Sequence, residues 1–445
     1  MKKTILCLVV GLCLVFSAAT AQATTISVWS SPDNADALFE LVHNFMQDNP
    51  DITIEVTPLS WAVLYASILR DITSGVGSFD VATWDLMTAG SIAPGFIDLD
   101  EFAAENPELV DPDFNDEDFI PVAHYVYGFW GEKRIGYPFY GANMYFFYRP
   151  DLFNDPQLQA AFEEQYTKEL RVPENWQEAK DVAEFFTRSF NPDSPTEYGI
   201  TLMFPRTHTL FYMFLNHFGP YRRSPEGIEK FGEVDLDWGD FFTSDQEPAF
   251  NSEEGIQAIQ DMMDLMQYAP DPLGSDYGET MEVFSRGMAA MVPTWSAALA
   301  SWQVSPDLQP PDEKIGIGIM PGGTPVSGGW GLGINAFSEN KEEAFRFIQY
   351  ATSFEGDKIQ WLNYRVGPTR ESVVYDSEVL ADTPWVEEVY IPSLEGASHR
   401  PRIPEQPRLE DIFVGALSEI LLGVRPNTIE TLNEIAEEWN RVLAR

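Results

Sequence analysis

The 445-residue chain carries 70 acidic and 27 basic side chains, for a formal charge of -43, and only nine of the basic residues are lysine. A field of that sign repels nucleic acid and anionic lipid head groups, which excludes both as partners. It suits a strongly hydrated surface in a salt-rich habitat, where screening relieves the self-repulsion.

Met1-Lys2-Lys3 is a short positive segment, Thr4 to Phe16 is apolar, and Ala21-Gln22-Ala23 fits a small-x-small cleavage site. Residues 1–23 therefore read as a cleaved signal peptide, and the mature chain is expected to start at Thr24 in the periplasm. Cys7 and Cys13 both fall inside the removed segment, so the mature protein is expected to have neither disulfide nor thiol chemistry. Neither cysteine lies at the cleavage point, and Leu12 precedes Cys13, which argues against a lipid anchor. Removal of the peptide leaves 445 minus 23, or 422 residues. That is more than one core usually organises, so two lobes are expected.

Thr25 to Trp29 reads as a strand, and Leu38, Leu41, Val42, Phe45 and Met46 recur at helical spacing until Pro50. Ile52 to Val56 forms the next strand, completing a strand-helix-strand unit of a largely parallel sheet. A helix over Ala62 to Thr73 and a strand ending at Trp84-Asp85 follow. Ligands gather beyond the carboxyl ends of strands in such sheets, which makes the Ser30 to Asp33 turn, with Ser31 and Asp33, and the Trp84-Asp85 pair candidate wall residues.

From Asp98 to Asp118 ten acidic residues occur with no basic one. They lack the alternating oxygen ligands and central glycine of a calcium loop, and read as hydrated surface. Glu132 to Phe153 then holds two short strands about an aromatic, amide-bearing turn, Phe139 to Asn143. That turn either lines a cleft or forms an aromatic core hairpin.

Helices are expected over Asp155–Lys168, Asn175–Ser189 and Glu253–Tyr268, the methionines of the last as core filler. Gly287 to Trp295 is read as a buried strand delivering Trp295 at its end, and Ser305 to Lys314 as a loop. The glycines from Gly322 to Gly333 around Trp330 imply close backbone approach and hinge-like freedom. A helix over Lys341–Ser353, the sharp Val366 to Arg370 exit and two helices at Leu409–Leu422 and Thr428–Leu443 complete the chain.

No dinucleotide fingerprint, phosphate loop or serine elbow is present, and the five histidines show no close metal-ligand pairing, so neither metal nor cofactor is expected. Carboxylates are too numerous for counting to exclude a glycan-active enzyme with a cleft pair, defined by separation in space. Aromatic residues are concentrated at predicted element ends: Trp61, Trp84, Tyr140, Trp295 and Trp330. Flat rings cover the C–H faces of a sugar, while Asp85, Asn143 and Arg370 would bond its hydroxyl edge. A core role for each tryptophan taken singly remains open, as does an adhesive protein without a deep site.

An ordered series of fragments carries a family resemblance. It runs TISVW, DNPDITIEVTPLSW, GSFDVATWD, IGYPFYGANMYFFYRPDLF, VPENWQEAKDVAEFF, SRGMAAMVPTW, GGWGLGINAFSENKEEAFRFIQYATSFEG, VGPTRESV and RPRIPEQPRLEDIFVGAL. In this order the chain resembles the extracellular solute-binding proteins of carbohydrate ABC transporters. The resemblance implies an α/β, periplasmic-binding-protein-like fold of two lobes with a hinge and an interlobe ligand cleft. One lobe would comprise 24–132 plus 329–368, the other 136–323 plus 369–445 with extra helices. It further implies a monomer that binds carbohydrate without chemistry and delivers it to transmembrane permease subunits. Site residues it implies are the tryptophans at 84 and 295, the turn from Ser30, the turn after Tyr137-Pro138 with Asn143, and the Gly329-Trp330 segment.

Overall fold

A computed structural model of the chain describes residues 23–299 and 315–444. The proposed signal peptide up to residue 22, both cysteines and the Ser305 to Lys314 loop lie outside the described residues.

Eleven strands enter the architecture: β1 (Thr24–Ser30), β2 (Ile52–Pro58), β3 (Val81–Asp85), β4 (Phe129–Trp130), β5 (Lys133–Arg134), β6 (Tyr137–Tyr140), β7 (Met144–Tyr148), β8 (Tyr198–Ile200), β9 (Ala289–Trp295), β10 (Gly316–Gly318) and β11 (Trp330–Ile334). The first sheet has the order β2-β1-β3-β11-β6, and the second β10-β7-β9-β8. β4 and β5 form a separate small hairpin. In the first sheet β1 runs parallel to β2 and β3, as the strand-helix-strand reading requires, while β11 runs antiparallel to both β3 and β6. This gives two α/β lobes with mixed sheets.

Local sequence accounts for the first lobe's helices. The helix Pro32–Asp48 takes Pro32 into its first turn, where a missing N–H costs nothing. The helix Trp61–Ser74 stops at Gly75, whose φ of +66° supplies the left-handed cap that favours glycine. Each buries its apolar stripe against the first sheet, in a core that includes Leu38, Leu41, Phe45, Leu64, Ile68, Phe79 and Phe347. A second core surrounds the other sheet, with Phe211, Phe214, Phe241, Phe250, Phe413 and Trp439 in mutual ring contact. A third cluster joins Tyr127, Tyr145, Phe147, Trp361, Val373 and Tyr390.

The stretch read as one aromatic hairpin is divided between the sheets. β6 pairs with β11 in the first, and β7 pairs with β9 and β10 in the second. Gly141, Ala142 and Asn143 are thus a crossing, not a hairpin turn. The 326–329 segment lies beside it: Met144 N donates to Val326 O (3.1 Å) and Gly328 N to Ala142 O (2.8 Å). A third segment, at Gly367, accepts from Gly141 N at 2.9 Å.

The glycine cluster also has a different basis from the one expected. Positive φ is confined within it to Gly322 and Gly323, whereas Gly331 lies inside β11 because the Trp84 ring and the Tyr127 carbonyl would stand 2.4 and 2.2 Å from an added Cβ. Close packing, rather than dihedral freedom, accounts for that glycine.

The acidic run folds around a cation supplied from β5. Arg134 makes a fork to Asp116 (2.6 and 2.7 Å) and reaches Asp100 at 2.7 Å, with its guanidinium 4.7 Å over the Phe129 ring. Burial opposes ionisation of Asp116, but His124 and Arg134 outweigh it and hold the carboxyl well below its ordinary range.

Candidate functional site

A cavity of about 330 Å³ lies where element ends of both lobes meet. Strand register assembles its first wall. Trp330, at the start of β11, pairs with Asp85 at the end of β3 and with Tyr140 at the end of β6, so three side chains from distant sequence positions share one sheet edge. Ser31 follows β1, and Trp61 opens its helix on the same side. The opposite wall holds His208, Thr209 and Tyr212 from the helix His208–Arg222, and Asp276 and Tyr277 at the start of the helix Tyr277–Ser285. Trp295 ends β9 and pairs with Met144 beside the crossing. Pro32, Ala142, Ala297, Gly328 and Arg400 complete the lining.

Asp85 is the polar centre of the first wall. Its Oδ2 accepts from Trp61 Nε1 at 3.1 Å, and its Oδ1 accepts from Met87 N at 3.2 Å and Arg400 Nη2 at 3.0 Å. Arg400 is buried, and its Nε finds no partner among the described residues. On the other wall Thr209 Oγ1 donates to Asp276 Oδ1 (2.9 Å), and Asp276 caps its helix in a reciprocal box with Glu279. Both cavity carboxylates are therefore engaged in holding the walls.

The rings are arranged as surfaces. Trp61 and His208 stack across the cavity with centroids 5.4 Å apart and planes inclined by 12°. Trp295 meets Tyr212 edge-on at 5.0 Å, and Gly328 lies so close to the Trp295 ring that a Cβ would stand 2.4 Å from it. Burial pushes the Tyr212 phenol up to about 12. Burial and then the neighbouring Arg400 charge lower the His208 pKa, so at neutral pH it presents a neutral ring.

Of the expected site residues, Ser31, Trp61, Asp85, Tyr140, Trp295 and Trp330 come together in the lining. Trp84 does not: it packs within the first core against Gly331 and Gly136, because its side chain alternates to the other face from Asp85. Asn143 is fully buried in the crossing, where its carbonyl accepts from Ser296 N (3.1 Å). Gly329 lies one residue beyond the lining Gly328, pressed on Tyr127, and its carbonyl accepts from Leu86 N. Asp33 is the second residue of its helix, and its side chain lies outside the described residues.

Arg370 is placed in a separate buried knot. Its Nε donates to Thr352 O (2.7 Å), its Nη1 reaches Asp118 (3.3 Å), and its guanidinium covers the Phe119 ring at 4.0 Å. The arginine at the cavity is instead Arg400, the first residue of the proline-rich RPRIPEQP fragment. His208, Tyr212, Asp276 and Tyr277 were also missed. Their helix starts carry no local mark that aims them at a cleft.

A family model described as bacterial extracellular solute-binding protein matches residues 29–358. The chain belongs to the bacterial extracellular solute-binding proteins. Among relatives of this binding protein, the probable amino-acid ABC transporter periplasmic-binding protein y4oP of Sinorhizobium fredii is 24% identical over 356 residues, 78% of this chain and 74% of that one. Maltose-bound MalE3 of T. maritima superposes with a TM-score of 0.75 at 22% identity, covering 94% of this chain and 100% of that one. A solute-binding protein of Agrobacterium radiobacter K84 in complex with ribitol gives 0.72 at 25% identity, covering 94% and 98%. The family is one of carriers, not catalysts. Among the described residues no cluster of three or more His, Cys, Asp or Glu is arranged to hold a metal, and no helix is long and apolar enough to cross a membrane.

Proposed function

We propose that this protein binds a carbohydrate in the cavity between its lobes and delivers it to the permease of an ABC transporter. The observation that carries the reading is the lining itself: Trp61, Tyr140, Trp295 and Trp330 offer ring surfaces, with Ser31, Asp85 and Arg400 at their edges. Such a wall matches a molecule with C–H faces and a hydroxyl rim. The structural relatives bound to maltose and ribitol have ligands of that kind.

The lobes are assigned as 24–132 plus 329–368 and 136–323 plus 369–445, with β6 reaching back into the first sheet. Sugar touching both walls favours the closed arrangement, because it meets both walls at once only there. The protein acts in the periplasm after cleavage behind Ala23. It carries no lipid on cysteine, since both cysteines leave with the peptide.

A second reading, an amino-acid carrier, has support in the description of the Sinorhizobium relative. Tryptophan fluorescence of the mature protein, titrated in high salt with saccharides, polyols and amino acids, separates the two. Saturation by one group of sugars is expected. Saturation by amino acids alone, or a flat response from folded protein, would sink the carbohydrate reading.

A further inference from the structure

Among the helices that lie wholly within the described residues, four start at the cavity. Their first residues, Pro32, Trp61, His208 and Tyr277, all belong to the lining, and the helices are 17, 14, 15 and 9 residues long. Each helix start presents unpaired backbone N–H groups and the positive end of its dipole. The two starts on the second-lobe wall are neutralised locally, since Thr207 accepts from Thr209 N and Asp276 caps Tyr277–Ser285. The two on the first-lobe wall are not: neither Ser31 nor Ser60 makes a side-chain cap.

Beside these two starts, Ser31 and Arg400 each hold a buried polar side-chain atom with no partner among the described residues. The Ser31 hydroxyl would ordinarily turn back to cap its helix, yet it bonds no other described residue. Arg400 spends Nη2 on Asp85 and leaves Nε unpaired. Burying such groups without partners is costly, and both belong to residues that line the cavity. An Arg N–H can only donate, and a helix start also offers donors, so the complement is an acceptor, best one carrying negative charge. The acceptors on this wall do not compete for that role, because Asp85 already takes three donors.

Resting on the carbohydrate reading, we infer that the ligand is an acidic saccharide, a uronate or aldonate, whose carboxylate faces the wall formed by Arg400 Nε, the Ser31 hydroxyl and the uncapped starts of the Pro32 and Trp61 helices. The aromatic rings cover its carbon faces. The protein's formal charge of -43 then opposes the approach of its own ligand. Salt screens that long-range repulsion more than it weakens contacts inside the cavity, so affinity rises with ionic strength.

The test is calorimetric titration of the mature protein with glucuronate, galacturonate and gluconate, and with the methyl ester of each uronate as its neutral counterpart. Maltose, ribitol, glucosamine and glutamate complete the set. One acid sugar is expected to bind about ten- to a hundredfold tighter than its ester, the worth of a charge-assisted bond, and tighter still as NaCl rises from about 0.05 to about 0.5 M. Arg400→Gln and, independently, Ser31→Ala should lower that acid-to-ester ratio, a readout that a general loss of folding does not move.

Equal binding of acid and ester, preference for glucosamine, or binding of neutral sugars alone overturns the inference and leaves the carbohydrate reading standing. Binding of glutamate with no sugar keeps the carboxylate wall and removes the carbohydrate. Binding of none of these probes by folded protein overturns the inference.

Discussion

Arg370 and Arg400 sit in two buried regions, each beside an aspartate, and the surroundings assign them different work. Arg370 is clamped between the Phe114 and Phe119 rings, 4.9 and 4.0 Å from their centroids, and tied to Thr352, Asn115 and Asp118. It closes a knot between the acidic run and the third crossing segment, where Asp357 also receives Thr369 N and Arg370 N. Arg400 has Asp85 on one side and the cavity on the other. A buried charge is thus a poor marker of a site. Each arginine also has one buried nitrogen with no partner among the described residues, Nη2 of Arg370 and Nε of Arg400, so the open space beside Arg400 is what marks the site.

The largest effect that would test this contrast is on stability. Arg370→Met removes the cation beside buried Asp357 and half-buried Asp118, and should cost about 3–5 kcal/mol in a denaturant melt. Burial already pushes Asp357 up to about 7 even with Arg370 beside it, so the carboxyl is poorly placed to lose that neighbour. An unchanged midpoint would mean that the knot does not hold the crossing.

The histidines repeat the comparison. His208 faces the cavity, while His217 is fully buried, stacked on Trp176 at 3.9 Å, with neither ring nitrogen bonded to another described residue. Burial pulls its pKa down from 6.5 to about 3. Between those values the unfolded chain binds the proton and the folded chain does not, so stability present above pH 6.5 falls as pH drops toward 3. At pH 5 that loss is about 2 kcal/mol. His217→Phe keeps a ring on Trp176 and should flatten the acid slope of the melting curve. A variant as acid-sensitive as the parent would refute the assignment.

Smaller effects sharpen the cavity side. Trp295→Ala removes one ring wall and should weaken ligand binding about tenfold, near 1.4 kcal/mol, in fluorescence or calorimetric titration. Gly328→Ala places a methyl 2.4 Å from the Trp295 ring, which must tilt. A loss of about threefold is expected, because only the free end of one side chain has to give. If Gly328→Ala proved as damaging as Trp295→Ala, the crossing rather than the ring would be the sensitive element.

The chain by itself determined the first three strands and the two helices between them, because apolar periodicity, Pro50 and Gly75 act over a few residues; that the first helix begins at Pro32, inside the expected turn, was decided by the fold. Polar and aromatic residues at predicted element ends also pointed to six of the lining residues, Ser31, Trp61, Asp85, Tyr140, Trp295 and Trp330. Tertiary structure alone decided the rest. β6 and β7 are adjacent in sequence and look like one hairpin, but backbone pairing with β11 and β9 sends them to different sheets. Trp84 and Asp85 are neighbours, and the pleat turns one into the core and the other into the cavity. Sequence put Arg370 at the ligand and did not single out Arg400, whereas the cavity is lined by Arg400. The choice between them was made by which one had phenylalanine rings over its face and which had open space, and no local pattern records that.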